Sequence, residues 1–145
     1  MSFDRSLLAP NRAATERMRA LAARLSEAEL QHPVGQHWTV AIVYAHLAFW
    51  DRRVQLLLEA GERDGAVDIA PLDHFVNDVA LPFWAAMPPH AAVRLALETA
   101  SRLDARLEGG PEPLLAQLYA ASPRYVLRAL HRNEHLDEAE KAVNG

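Results

Sequence analysis

The chain has no cysteine among its 145 residues. That absence excludes disulfides, a cysteine nucleophile and every zinc site built on thiolates, so any metal must be held by His, Asp or Glu. Basic clusters are missing too. The 15 Lys and Arg face 19 Asp and Glu for a net charge of -4, a balance unsuited to gripping nucleic acid through its phosphates. No run of about 18 apolar residues exists, and the stretch from Met1 to Pro10 lacks the long apolar core of a signal peptide. The expectation is a cytoplasmic protein with neither a membrane nor a nucleic acid as partner. Sustained period-2 alternation rich in β-branched residues is absent, which argues against a sheet. Internal repeats, low-complexity tracts, domain linkers and strict heptads are likewise missing.

What remains is helical. Half of the residues are apolar, enough for one domain over residues 1–145 with a sizeable core. Leu7, Ala14, Met18, Leu21 and Leu25 recur at helical spacing in a first helix that Pro10 bends or starts and that ends near Leu25. Ser26 and Glu29 fit a capping box ahead of the breaks at Pro33 and Gly35. Thr39 is the expected N-cap of a long second helix from Val40 to Ala60, closed by Gly61. Residues 61–71 are polar and contain Gly, so they read as a connection. A third helical stretch begins near Asp73, is interrupted by Pro82 and ends at Pro88 and Pro89. The next runs from His90 to Leu107 and stops at Gly109 and Gly110. A short turn follows around Leu114 to Ala121, and Ser122 with Pro123 opens the last long helix, through about Val143. Four main helices with short accessory turns predict an all-α, antiparallel four-helix bundle.

Seven histidines are distributed along this pattern. His131 and His135 are four residues apart in a stretch without Gly or Pro, so their imidazoles leave one helix face about a turn apart. Such a pair arises by chance in roughly 0.3 of sequences with this composition, so it needs corroboration. His46 supplies it, lying among Ile42, Val43, Phe49 and Trp50 on the second helix. Taken alone, His46 reads as a core histidine with one hydrogen bond. Leu127 and Leu130 flank His131 similarly, so two helices direct imidazoles toward buried surface, and a shared metal would satisfy all three rings. His32, His37, His74 and His90 read as surface or capping residues, although Asp73 and His74 could reach the site.

A tryptophan and a β-branched cap, Trp38 and Thr39, lead into a helix with a histidine eight residues after the Trp, and the last helix carries a His-x-x-x-His pair. This combination resembles the DinB-like superfamily of four-helix metal proteins, which includes the YfiT-type hydrolases and the N-terminal domains of mycothiol-dependent maleylpyruvate isomerases. Asp73 to Asn77 is similar to the Asp-x-x-x-Asn stretch that often opens the third helix of these proteins. The resemblance implies a divalent metal held by His46, His131 and His135, nickel or zinc first and iron as the alternative, with water completing the shell. Three neutral imidazoles leave the cation's charge uncompensated, so the open position can bind an anion, ionise water or hold a thiolate. The implied activity is that of a metal-dependent hydrolase or of a transferase or isomerase using a low-molecular-weight thiol on a small-molecule substrate. The alternative is a non-catalytic metal-binding or structural helical bundle. A homodimer is expected, because small bundles of this kind pair through exposed apolar faces.

Other residues have plainer readings. Arg124, Arg128 and Arg132 recur every four residues and could form an anion-binding ridge, but such a row more often is a solvated face paired with Glu134 and Glu138. Trp50, Phe83 and Trp84 read as core packing rather than pocket lining. Asp51 and Glu134 are close enough in sequence to the histidines to orient an imidazole.

Overall fold

The computed structural model describes residues 2–145. Seven α-helices follow in order: α1 (Ala9–Ala23), α2 (Glu27–Leu30), α3 (Val40–Asp64), α4 (Val76–Ala85), α5 (Pro89–Glu108), α6 (Glu112–Ala121) and α7 (Arg128–Asn144). Turns of 3-10 helix at Arg5–Leu8 and Pro123–Tyr125 precede α1 and α7. Two caps act as the sequence predicts. Ser26 Oγ accepts from the Glu29 N–H at 3.1 Å while Glu29 Oε1 accepts from the Ser26 N–H at 3.0 Å, and Thr39 Oγ1 accepts from the Ile42 N–H at 3.2 Å.

Four expectations are corrected. The chain is not wholly helical, because β1 (Pro33–Val34) and β2 (Trp38–Thr39) pair antiparallel between α2 and α3. Gly35 makes the reversal possible at φ 67°, a conformation costly for a residue with a Cβ. Helix α3 does not stop at Gly61. It continues to Asp64, and Gly65 at φ 87° takes the left-handed terminal position, donating its N–H to the Gly61 carbonyl at 2.8 Å. Gly61 is needed for a different reason: a Cβ there would stand 3.1 Å from Val67 Cγ2, so its bareness lets the following segment close over the helix. Pro82 lies inside α4 without ending it, since its missing N–H leaves only one carbonyl of a ten-residue helix unpaired. Finally, Ser122 and Pro123 start a single 3-10 turn, and α7 begins at Arg128. The break is held by Asn11 of α1, whose buried side chain donates to the Val126 carbonyl at 2.8 Å and accepts from the Ala129 N–H at 3.0 Å. A helix start stabilised by a side chain 118 residues away leaves no local signal.

Helices α1 and α3 each pack against both α5 and α7. Two apolar clusters fill the space between them. Met18, Val43, Tyr44, Leu47, Ala100 and Leu136 belong to one, with the Tyr44 hydroxyl donating to the Met18 carbonyl at 2.7 Å. Val54, Leu58, Leu103, Leu107, Leu115 and Leu118 belong to the other. A third, smaller cluster of Ile42, Ala45, Ala80, Trp84 and Ala92 seats α4 beside α3 and α5. Each long helix also buries polar residues near where the two larger clusters meet: Asn11 and Thr15 on α1, Asp51 on α3, Asp104 on α5 and Arg132 on α7. No described helix is long and apolar enough to cross a membrane.

Candidate metal centre

Helix α3 carries His46 inward at 3% exposure, and α7 brings His131 and His135 toward it from successive turns. All three rings converge through Nε2: His46 Nε2 is 3.1 Å from His131 Nε2 and 3.2 Å from His135 Nε2. Two ring nitrogens bound to one cation at about 2.0–2.1 Å, with bond angles between octahedral and tetrahedral, stand roughly 2.8–3.4 Å apart. The observed spacings fall within that interval. A single proton shared between two rings would satisfy only one of these contacts, so three converging lone pairs fit a cation better than a hydrogen bond. The three histidines form a cluster whose ligand atoms lie within 4.8 Å of one another.

Electrostatics keeps two of the rings neutral. Burial lowers the His46 pKa from 6.5 to about 3, with His135 and Arg128 adding to the effect. Burial also lowers His131 to about 2, helped first by Arg128 and then by His46 and His135. Neutral rings present lone pairs at neutral pH, which a metal ligand requires. The outer nitrogens are less settled by protein partners. His46 Nδ1 and His135 Nδ1 are buried without a hydrogen bond, and Glu138 Oε2 stands 3.5 Å from His135 Nδ1 without hydrogen-bond geometry. Arg128 Nη2 lies 3.3 Å from His131 Nδ1. A guanidinium only donates, so that contact is a hydrogen bond when Nδ1 bears the lone pair. A cation on Nε2 places the proton on Nδ1 instead, and Arg128 then keeps its bonds to Asp51 and to the Arg124 carbonyl.

The three tryptophans of the chain surround His46, with ring centroids 4.7 Å (Trp38), 6.3 Å (Trp50) and 5.2 Å (Trp84) away. Trp38 also stacks on His135 at 5.8 Å. The reading of Trp50, Phe83 and Trp84 as core is therefore corrected in part. Trp84 is buried edge-on against His46, Trp50 lines the open side of the site, and Phe83 is 72% exposed.

The arginine row is not a solvated face. Arg128 is 5% exposed and Arg132 is fully buried, and both are held by acids on other helices. Arg128 Nε donates to Asp51 Oδ1 at 2.9 Å, and Arg132 Nε donates to Asp51 Oδ2 at 3.0 Å. Arg132 Nη1 reaches Asp104 Oδ1 at 2.9 Å, the Asn11 carbonyl at 3.0 Å and Thr15 Oγ1 at 3.1 Å. Two cations face two anions, so the buried charge balances, as burial demands. Only Arg124 is exposed, paired with Glu134 at 2.8 Å. Leu130, expected to help bury His131, is instead 48% exposed, because Arg128 and Arg132 rather than the leucines set which side of α7 faces inward.

Asp51 orients arginines and touches His131 only through Arg128, while Glu134 touches no imidazole. His32, His37, His74 and His90 are exposed as expected. Neither Asp73 nor His74 reaches the site: Asp73 turns back to its own Phe75 N–H at 2.8 Å, and the His74 side chain is 84% exposed. Asn77 does reach it, accepting from Trp50 Nε1–H at 3.0 Å. The histidines open on a cleft of about 410 Å³, lined also by Trp38, Trp50, Arg53, Asn77, Arg124, Tyr125 and Arg128. No carboxylate lines it among the described residues. Sequence reasoning missed Arg53 and Tyr125, which carry no motif and meet only through the turn before α7.

Comparison with known proteins finds that residues 11–135 match the model of the family described as mycothiol maleylpyruvate isomerase N-terminal domain. No curated protein and no solved structure gives a significant match.

Two outcomes test the geometry. Asp51→Leu leaves Arg128 and Arg132 as buried cations short of an anion, so urea denaturation should show a loss of about 3–5 kcal/mol. A loss below about 1 kcal/mol would mean that the guanidinium groups find other partners. The second concerns pH. His46 and His131 ionise in the folded chain far below the unfolded value of 6.5, at about 3 and about 2. The unfolded chain therefore takes up protons first, and stability present above pH 6.5 is lost as pH falls toward those lowered values. Thermal unfolding of chelator-treated protein should show a lower Tm at about pH 5 than at about pH 7, and a flat profile would contradict the assignment.

Proposed function

We propose that this chain, which belongs to the mycothiol maleylpyruvate isomerase N-terminal domain family of the DinB-like superfamily, is a metal-dependent enzyme acting with a low-molecular-weight thiol. The observation that carries the reading is the meeting of three Nε2 atoms, 3.1 and 3.2 Å apart, beside a cleft free of carboxylates. His46, His131 and His135 would hold a divalent cation, nickel or zinc before iron as the family resemblance implies, all three metals being suited to imidazole donors. When bound, the cation supplies a positive centre that favours the ionised form of a thiol or of water near neutral pH. The chain's own part is to keep that charge undiminished, because imidazole ligands bring no negative charge and no carboxylate lines the cleft among the described residues. Trp38, Trp50 and Trp84 limit water around His46 and so strengthen electrostatic attraction at the site. The supporting architecture in this reading is an antiparallel four-helix bundle of α1, α3, α5 and α7, with α2, α4 and α6 as accessory helices.

The thiol reading leads because the family description names a mycothiol enzyme and the chain has no cysteine of its own. Hydrolysis would call on the same three histidines, with water in place of the thiol. A purely structural metal is less well supported, since structural sites are closed by four protein ligands and this cluster offers three beside an open cleft. Untagged protein should contain stoichiometric nickel, zinc or iron by elemental analysis, and His46→Ala or His131→Ala should lose it. Wild-type protein that takes up none of the three metals, with unchanged stability in their presence, would end this reading.

A homodimer forms part of the proposal. Phe75, Val79 and Phe83 recur every four residues on one face of the α4 region and are 54, 64 and 72% exposed, beside an apolar groove of about 740 Å³. Covering such a face with a second copy removes large apolar groups from water. Sedimentation equilibrium should give a dimer that Phe83→Glu converts to a monomer, whereas a monomeric wild type at high concentration would exclude it.

A further inference from the structure

Three guanidinium groups line the histidine cleft, and their partners differ. Arg128 is neutralised by Asp51 at 2.9 Å, and Arg124 is paired with Glu134 at 2.8 Å. Arg53 has no carboxylate partner among the described residues: its polar contacts are the Tyr125 hydroxyl at 3.3 Å and the Ala70 carbonyl at 3.4 Å, both neutral and long. It is nevertheless held in place. Its guanidinium carbon lies 5.8 Å from the Trp50 ring centroid and 5.6 Å from that of Tyr125, so two aromatic rings fix a half-buried cation. Trp50 is in turn fixed by its bond to Asn77 at 3.0 Å. An arginine immobilised by rings rather than by an acid keeps both its charge and its fork of N–H donors for another partner.

We infer that Arg53 is the specificity-determining residue of the cleft and recognises a carboxylate of the bound small molecule, whose other end lies toward His46, His131 and His135. One uncompensated guanidinium matches one singly charged, planar carboxylate. A phosphate dianion would call on a second free cation, and the other two arginines are already paired. Arg53 and the histidines line the same cleft of about 410 Å³, so one small molecule can meet both. The carboxylate contact itself does not require the metal, and the inference rests on the proposed function only for where the rest of the molecule goes.

The test is a titration of 15N-labelled full-length protein with propionate, propionamide and inorganic phosphate, once metal-free and once loaded with zinc. Propionate should shift the Arg53 Nε–H and Trp50 Nε1–H signals saturably in both forms, and propionamide, of the same shape without the charge, should not. Arg53→Met should weaken propionate binding at least about tenfold, the worth of roughly one charge-assisted bidentate pair. Arg53→Lys, which keeps the charge and loses the fork, should fall between, and it serves equally if the Met variant does not fold. Equal responses to propionate and propionamide, unchanged affinity in both variants, or tighter binding of phosphate than of propionate would each overturn the assignment. Failure of zinc to bind, with propionate still recognised, would instead count against the metal reading alone.

Discussion

The structure depends on a polar layer buried between two apolar clusters. Arg132 sits at its centre without solvent exposure, bonded to Asp51 of α3, Asp104 of α5 and the Asn11 carbonyl and Thr15 hydroxyl of α1. Every long helix thus contributes to one network around a single guanidinium. A layer of this kind adds little net stability over well-packed apolar side chains, because desolvating the charges offsets most of their attraction. Its effect is on geometry. An apolar helix face can rotate or slide with small loss, whereas a guanidinium with directional bonds to three helices has one acceptable register.

That register is what brings the three histidines together. With Arg128 and Arg132 directed at Asp51, residue 131 and residue 135 face His46, and their nitrogens meet at 3.1 and 3.2 Å. Arg128 connects the two systems, bonding Asp51 on one side and standing 3.3 Å from His131 Nδ1 on the other. The same positive charge helps hold His131 neutral. One arginine therefore bears on both position and protonation, in the latter after burial. The break in α7 serves the same end, because starting at Arg128 frees Tyr125 to turn toward Arg53 and close the cleft's wall.

Much of this was legible in the chain. Helical spacing, the Ser26 and Thr39 caps and the glycine and proline punctuation place the four long helices to within about a turn except at the start of α7, because each signal acts within a few residues of itself. His46, His131 and His135 were legible for a related reason: an i,i+4 pair and a histidine on an apolar stripe state which face each ring takes. The arginine row misled because a repeat of charged residues reads as surface unless its counter-ions are visible, and Asp51 and Asp104 lie 81 and 28 residues from Arg132. Asn11 as the cap of α7 and Gly61 as a packing contact were hidden in the same way.

The sequence by itself determined the helical character, the histidine set and the lack of any cysteine thiolate of the chain's own, all properties of residue type and short-range periodicity. Only the tertiary structure decided that Arg128 and Arg132 are interior, that Trp38, Trp50 and Trp84 gather around His46, and that Arg53 faces the cleft without a counter-ion among the described residues. The physical reason is the range of the forces involved. Backbone hydrogen bonding and capping are resolved over about four residues. Charge compensation and aromatic contact depend on which distant segments meet, and that is settled only when the helices pack.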